Sequence, residues 1–266
     1  MKKTLSIFWC VLVLAFMYLP ILILAVYSFT DSTMIGSIRA FSIENYKTLF
    51  TTDELREMIF GTLILAIVSA VFATILGTCG AIGAFYSKKF ANGCITSFNQ
   101  VPVVNADVVT GFSICVLFIV VLGIDKNTFV PLVIGHTVLT APFVYLSIIP
   151  KLKQMDNNLY EAALDLGASP TKALFKVVIP QIIPGIFSGF MLAVTLSLDD
   201  YFVTTYTKPA TFDTISTYVF NATKGSQTEI KTALWALSTI IFVIVIIIVA
   251  CMNLAGRNNN EERQGS

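Results

Sequence analysis

Two adjacent carboxylates close a long apolar stretch of this sequence. Asp199 and Asp200 follow 22 uncharged residues, and the aromatic residues Tyr201 and Phe202 come directly after them. Like charges this close disfavour joint ionisation unless a cation is near, and aromatic rings add cation–π attraction. The cluster therefore predicts a site on a path for cations, which we call the pathway. The alternative is that both carboxylates reach interfacial water, because the ends of membrane spans tolerate charge.

Adjacent positions of a helix diverge by about 100°, so Asp199 and Asp200 are not expected to face the same point. One is expected to face the pathway while the other caps a helix or pairs with a neighbouring one. A third carboxylate, Asp107, interrupts the apolar run 90–124. A charge there is costly unless it is paired or lies in an aqueous cavity. We therefore expect Asp107 to face the pathway, with a packing hydrogen bond as the alternative.

Other chemistry is sparse in this chain. The lone histidine, His136, lies within an apolar run and is expected to be a hydrogen-bonded packing residue rather than a proton relay. No pair of Cys or His residues has the spacing of metal ligands, so no metal site is predicted. The ionisable residues of the apolar runs are scattered rather than clustered, which argues against an enzyme embedded in the membrane.

The segment 151–180 is predicted to form two short helices. Asp156 and Asn157 supply N-cap oxygens, residues 159–166 are good helix formers, and Gly167 suits the C′ position, where a left-handed residue is wanted. This first helix has about two turns and is about 12 Å long.

The second short helix is expected to begin at Ser169 and Pro170, with serine as the cap and proline in the first turn. One side of the first helix carries small and apolar residues, and such a surface requires a partner to cover it. They are Leu159, Ala162, Ala163 and Leu166. The alternative is a capped amphipathic helix resting on lipid headgroups, but such helices prefer Lys, Arg and bulky aromatic residues.

The composition indicates a membrane protein. The chain has 266 residues, of which 56% are hydrophobic and only 12% charged, and its mean hydropathy is +0.80; soluble domains carry about 25% charged residues. Five uncharged runs of 22 to 30 residues each exceed the roughly 20 residues with which a helix crosses the bilayer core. These features exclude a nucleic-acid binder, a soluble enzyme and a disulfide-stapled secreted module, and the runs are too continuous for a β-barrel.

We therefore predict an all-α integral membrane protein with six transmembrane helices. The predicted spans are 5–29, 58–86, 101–122, 129–149, 182–206 and 232–254. With the N-terminus inside, ten basic residues lie inside against seven outside, which favours cytoplasmic termini. Small-residue spacings predict close helix packing at Gly77, Gly80, Gly83, Gly185 and Gly189.

The predicted organisation has three parts. Residues 1–56 form the first span and an outside loop, residues 57–256 form a five-helix core that includes the cytoplasmic segment 151–180, and residues 257–266 form a polar tail that is expected to be disordered.

A motif in the segment 151–180 resembles the EAA loop of ATP-binding-cassette importer permeases, usually written EAA, x3, G, x9, I, x, L, P. The spacing is kept in full by Glu161, Ala162, Ala163, Gly167, Val177, Ile179 and Pro180. The two departures, Val177 for Ile and Ile179 for Leu, conserve size and polarity. In that family the first short helix is a coupling helix that docks in a cleft of a separate ATPase subunit. The resemblance therefore implies ATPase coupling by Glu161, Ala162, Ala163, Asp165, Gly167 and Pro180.

The resemblance extends over essentially the whole chain. Segments 41–46 and 101–107 look like the entry to the permease core and the Pro-rich start of its third span. Segment 196–203 is similar to part of the second membrane subunit of spermidine/putrescine importers. Related permeases for iron, thiamine or phosphonates also share the EAA loop, so the EAA loop alone does not indicate a polyamine cargo. The resemblance implies a type I importer permease fold (MetI-like), a bacterial inner membrane and a polyamine cargo. It implies a substrate pathway that includes Asp107, Asp199, Asp200, Tyr201 and Phe202.

The sequence contains no G-x-x-x-x-G-K-[ST] phosphate loop, so we expect no ATP site. The resemblance implies a transport subunit without catalysis or a cofactor of its own, ATP and magnesium being bound by the ATPase. The implied partners are a homologous second permease subunit, two ATPase subunits, an extracytoplasmic solute-binding protein and the lipid bilayer, with no nucleic acid. The alternatives are a related permease for another small solute and, less in keeping with the absence of a repeat between the halves, a gradient-driven carrier.

Overall fold

The computed structural model describes residues 2–30, 40–156, 158–224, 232–243 and 246 of the chain. Helices dominate these ranges, and the β-type pairing found within them is an isolated bridge between Thr30 and Phe41. The chain divides into two units, one made of Met1–Glu57 with Val219–Ser266 and the other of Met58–Tyr218. The predicted cap Asn157, the end of the sixth predicted span and the tail 257–266 lie outside the described residues.

The helices are numbered in chain order. They are α1 (Lys2–Ser28), α2 (Glu44–Thr51), α3 (Asp53–Tyr86), α4 (Lys89–Val104), α5 (Asp107–Cys115), α6 (Val130–Gln154), α7 (Asn158–Asp165), α8 (Pro170–Ala173), α9 (Ile179–Asp199), α10 (Phe202–Thr207), α11 (Ile215–Lys224) and α12 (Thr232–Val243). A π-helical turn, Val116–Val121, continues α5, and another, Leu174–Val178, joins α8 to α9.

Four of these helical stretches are long and apolar enough to cross a membrane. They are Ser6–Ser28, Asp53–Tyr86, Val130–Gln154 and Pro170–Asp199. The predicted helices at 5–29, 58–86 and 129–149 are therefore confirmed. The sixth predicted helix is present as α12 as far as Val243.

The prediction of one continuous helix at 101–122 is wrong. The helices α4 and α5 meet at a bend of 103°, where Asn105 and Ala106 adopt extended conformations. The Asn105 side-chain amide donates a hydrogen bond to the Thr110 hydroxyl at 3.0 Å. Asp107 lies in the first turn of α5, where the positive end of the helix dipole stabilises a carboxylate.

The span predicted at 182–206 also differs from the structure at both ends. The helix begins earlier, because α8 continues through the π-helical turn into α9, and the apolar stretch Pro170–Asp199 has 30 residues. The second short helix expected at Ser169–Pro170 is thus the start of the span and not a separate element. At the other end the helix stops at Asp199, and α10 begins only at Phe202.

The core of the Met58–Tyr218 unit forms where α6 packs against α9 and α3. Glycines allow this approach: a Cβ on Gly185 would lie 3.1 Å from the Ser147 carbonyl oxygen, and one on Gly189 would lie 3.0 Å from the Val144 Cα. A Cβ on Gly77 of α3 would meet Val144 at 2.7 Å. The packing predicted for these three glycines is confirmed. The core also includes Ile148, Leu152, Met155, Val178 and Ile182.

Two other glycines for which packing was predicted, Gly80 and Gly83, do not make such close contacts. A Cβ on Gly80 would make an ordinary contact with Tyr145 at 3.7 Å, and one on Gly83 would have nothing within 4 Å. The packing predicted for Gly83 is therefore wrong among the described residues, because Gly83 lies on the exposed face of α3.

The other unit is held at the end of α1 by side chains of α2. The Asn45 amide donates to the carbonyl oxygens of Ser28 at 3.0 Å and Thr30 at 3.1 Å. The Tyr46 hydroxyl lies 2.9 Å from the Ser28 hydroxyl. The two amide hydrogen bonds satisfy the carbonyl group of Ser28, which ends α1, and that of Thr30 just beyond it.

Replacement of Gly77 by alanine is expected to destabilise the protein by about 1–3 kcal/mol, the usual cost of overpacking. The added methyl group would meet the Val144 side chain and, at 2.9 Å, the Ala141 carbonyl oxygen. Gly83→Ala in the same helix is the matched control, since both changes bring the same gain in helix propensity. Melting temperatures in detergent compare the two variants, and equal values would contradict the packing described here.

Candidate functional site

Helix α7 begins as the sequence predicts. The Asp156 side-chain carboxylate accepts a hydrogen bond from the Asn158 backbone N–H at 3.0 Å, and the Asp156 carbonyl accepts one from the Leu159 N–H. Both bonds satisfy donors that a helix N-terminus leaves free. The N-cap role predicted for Asp156 is confirmed.

The C-terminus of α7 is a Schellman motif. Gly167 has a positive φ of 84°, its N–H donates to the Leu164 carbonyl at 2.9 Å, and the Ala168 N–H donates to the Ala163 carbonyl at 3.0 Å. Glycine adopts this conformation without the strain that a Cβ would bring. The chain then starts α8 at Pro170, where the Ser169 hydroxyl accepts from the Lys172 N–H at 3.4 Å. Both caps match the sequence prediction.

One aromatic side chain seats α7 on the rest of the unit. The ring of Tyr160 lies 5.0 Å, centroid to centroid, from the ring of Tyr86 at the end of α3. Tyr160 also packs against the core that contains Met155 and Val178. A two-turn helix is unstable alone, so this contact and the two caps fix its position.

The opposite surface of α7 is open. Leu166 is 89% exposed and Leu159 is 44% exposed. Glu161, Ala162 and Asp165 are also exposed, whereas Ala163 is half-buried. The structure thus brings most of the EAA residues onto one short exposed helix.

Pro180 lies apart from this helix, in the first turn of α9, and is exposed. Its ring lacks an N–H, so the regular hydrogen bond to residue 176 is missing. The π-helical turn Leu174–Val178 immediately precedes it, which is where a disturbed hydrogen-bond ladder is expected.

At the other end of α9 the carboxylate of Asp200 is buried. One of its oxygens accepts from the Val203 N–H at 3.3 Å, and the other accepts from the Thr204 N–H at 2.7 Å and the Thr204 hydroxyl at 2.8 Å. The side chain of Asp200 thereby caps the first turn of α10. Of the two adjacent carboxylates, Asp200 is therefore the one that caps a helix.

His136 of α6 is fully buried beside this cap. Its Nδ1 lies 2.7 Å from the Ser197 hydroxyl, and its Nε2 lies 2.9 Å from the Thr204 hydroxyl and 3.6 Å from an Asp200 carboxylate oxygen. We call His136, Ser197, Asp200 and Thr204 the polar node. The prediction that His136 is a hydrogen-bonded packing residue is confirmed.

The remaining predicted pathway residues are more accessible. Asp199 is exposed at the last position of α9, and Phe202 is 44% exposed. The half-buried ring of Tyr201 lies 5.3 Å from the Phe202 ring in an edge-on arrangement. Asp107 is exposed at the start of α5, and in the described part of the chain no hydrogen bond or ion pair joins it to the other carboxylates.

Sequence reasoning missed the glycines on which α10 rests. A Cβ on Gly111 would lie 2.9 Å from the Val203 Cα, and one on Gly135 would lie 2.7 Å from a Val203 methyl carbon. Both are single glycines in apolar helices, without the repeated small-residue spacing that marks α3 and α9. A lone glycine in an apolar helix was the available signal.

Comparison with known proteins assigns this chain to a family. The model for binding-protein-dependent transport system inner membrane components matches residues 74–258. The chain belongs to this family. Within it, the chain is 31% identical to the spermidine/putrescine transport system permease protein PotC of Escherichia coli K12, over 94% of this chain and 93% of that protein. It is 32% identical to the putrescine transport system permease protein PotI of the same strain, over 88% and 84%.

Solved structures of transport components share the fold of this family member. A bacterial ABC transporter for alginate import matches with a TM-score of 0.73 at 16% identity, over 94% of this chain and 96% of the other. The MetNI methionine ABC transporter in an inward-facing conformation matches with a TM-score of 0.58 at 17% identity, over 76% and 95%. These similarities establish the fold of a multi-pass membrane permease.

Gly167→Ala is expected to weaken the C-terminus of α7, because a left-handed conformation costs a residue with a Cβ about 1–2 kcal/mol. Gly93→Ala is the matched control: a Cβ would meet nothing within 4 Å at either position, and only Gly167 has a positive φ. Hydrogen exchange measures the effect, with backbone amides of α7 exchanging about 5-fold faster or more in Gly167→Ala. Equal exchange in the two variants would show that the motif does not hold the helix.

Proposed function

We propose that this chain is the transmembrane permease subunit of an ATP-binding-cassette importer and forms half of its translocation pathway. The observation that carries the proposal is the short helix α7, which is capped at both ends and seated by Tyr160 while Glu161, Ala162 and Leu166 stay exposed. Such a surface suits docking into a cleft of a separate ATPase subunit. Small side chains allow close approach, and Glu161 can pair with a basic residue of the partner.

The arrangement of helices suggests how force from the ATPase reaches the pathway. Helix α7 lies in the connection between α6 and α9, and these two helices pack closely at Gly185 and Gly189. A displacement of α7 therefore moves α6 and α9 together. Their far end carries the break at Asp200–Tyr201, so the same motion shifts the residues proposed to line the pathway.

The proposed topology has six spans with both termini in the cytoplasm. It counts the bent pair α4 and α5 as one span and α12 as the start of the last, beside the four long apolar helices. The proposed partners are a homologous permease subunit, two ATPase subunits that bind ATP and magnesium, and an extracytoplasmic solute-binding protein. Family membership supports a place in the bacterial inner membrane, and this chain itself performs no catalysis.

Polyamines, spermidine or putrescine, are the proposed cargo. The names of the relatives support this choice, and so does the chemistry at the end of α9. The exposed carboxylate of Asp199 and the neighbouring rings of Tyr201 and Phe202 can attract the several ammonium groups of a polyamine. A related permease for another small solute would need a different set of groups there.

The proposal predicts ATP-dependent uptake of labelled spermidine or putrescine by the assembled transporter in proteoliposomes. Glu161→Lys is expected to reduce this uptake at least about tenfold, because the loss of one charged hydrogen-bonded pair costs about 1.5–3 kcal/mol and the reversed charge repels the partner. ATP hydrolysis by the same assembly is expected to lose its dependence on the loaded solute-binding protein.

Glu57→Lys is the charge-matched control, since Glu57 is also an exposed acid but lies far along the chain from α7. It is expected to keep both uptake and stimulated hydrolysis. Normal coupled uptake in Glu161→Lys would contradict docking through α7. Wild-type uptake of another solute, with none of either polyamine, would contradict the cargo while leaving the permease role in place.

A further inference from the structure

We infer that the two adjacent carboxylates have separate tasks: Asp199 meets the cationic cargo, whereas Asp200, together with His136, is a positioning residue that fixes the break between α9 and α10. The inference rests on the proposed function, because it concerns the same pathway. It also names which carboxylate determines specificity for cations.

The carboxylate of Asp200 is not accessible to a cargo ammonium group. Its side chain is 4% exposed, and its two oxygens already accept the hydrogen bonds from Val203 and Thr204. Both backbone donors belong to the first turn of α10, where they stabilise a negative charge. The Ser216 hydroxyl donates to the Asp200 carbonyl oxygen, so the main chain at this residue is held as well.

The hydrogen bonds of the polar node form one consistent chain. The Ser197 hydroxyl donates to His136 Nδ1, His136 Nε2–H donates to the Thr204 hydroxyl oxygen, and the Thr204 hydroxyl donates to the Asp200 carboxylate. This assignment of the neutral imidazole uses every donor once. An unpaired polar group in an apolar interior costs free energy. Each side chain of the polar node is therefore kept in place by its hydrogen bond to the next one. The chain ties α6 to the last turn of α9 and to the first turn of α10.

Close packing also holds this break. Val203 fits against Gly111 of α5 and Gly135 of α6, where added methyl groups would lie 2.9 Å and 2.7 Å from its atoms. The backbone between α9 and α10 is thus fixed both by hydrogen bonds and by steric contact. The residue immediately before the break is Asp199.

Asp199 has the properties that Asp200 lacks. It is exposed, and among the described residues it takes part in no ion pair. Tyr201 and Phe202, whose rings contact each other, follow it two and three positions along the chain. A carboxylate and aromatic rings are the groups that attract an organic ammonium ion. The fixed break sets the distance and orientation of Asp199 relative to these rings.

The test compares Asp199→Asn, Asp200→Asn and Asp200→Ala in the assembled transporter with labelled spermidine. Asp199→Asn is expected to raise the KM about tenfold or more, with an unchanged melting temperature. Asp200→Asn keeps an oxygen that can cap α10, so its KM stays within about twofold of the wild type. Asp200→Ala removes the cap and lowers the melting temperature and the maximal uptake rate.

A second measurement does not depend on transport. In melting experiments on the detergent-solubilised chain, His136→Ala combined with Asp200→Ala is expected to destabilise by less than the sum of the single changes, as residues of one network do. His136→Ala combined with Asp199→Asn is expected to be additive. An equal rise of KM in Asp199→Asn and Asp200→Asn, or additivity of His136→Ala with Asp200→Ala, would overturn the inference. Absence of spermidine uptake by the wild type would count against the proposed cargo, and the melting experiments would still decide the role of Asp200.

Discussion

The close packing of α6 against α9 is the contact on which the rest of the larger unit depends. Burial of apolar surface does not drive helices together in lipid, so their association relies on small residues that let the backbones approach closely. Gly185 and Gly189 supply this on α9, and Gly77 adds α3 to the same surface through Val144. Because α7 lies in the connection between α6 and α9 and Tyr160 packs against their core, this packing also determines where α7 stands. The exposed surface of α7 is therefore presented by these two helices.

The same pair fixes the far end through a different kind of interaction. Apolar contacts are not directional, so alone they would not fix a single backbone conformation at the break after Asp199. Buried polar groups are more selective, because each one that loses its partner costs free energy. His136 on α6 bonds to Ser197 of α9 and Thr204 of α10, so the packing of α6 and α9 and the geometry of the break reinforce one another. The family to which the chain belongs consists of inner membrane components of transport systems.

Local chemistry explains which features the sequence could predict. Asp156, Gly167 and Ser169 act within a few residues of themselves, so their capping roles are visible in the sequence, as are the apolar runs. The breaks at Asn105–Ala106 and Asp200–Tyr201 were not predictable because both fall in stretches that satisfy the length and hydropathy of a span. The second break depends on His136, which bonds to Ser197 across a separation of 61 residues. The packing of α10 against Gly111 and Gly135 is likewise a tertiary contact, and no pattern in the neighbouring sequence indicates it.

In the proposed transporter, α6 and α9 move as one body between the ATPase and the pathway. Spin labels at exposed positions of the two helices, introduced as Leu146→Cys and Phe187→Cys after replacement of the native cysteines, measure it directly in the assembled transporter. The account predicts the same mean distance in the nucleotide-free and ATP-bound states. A shift of about 5 Å, one helical turn, would show that the helices slide past each other and would contradict it.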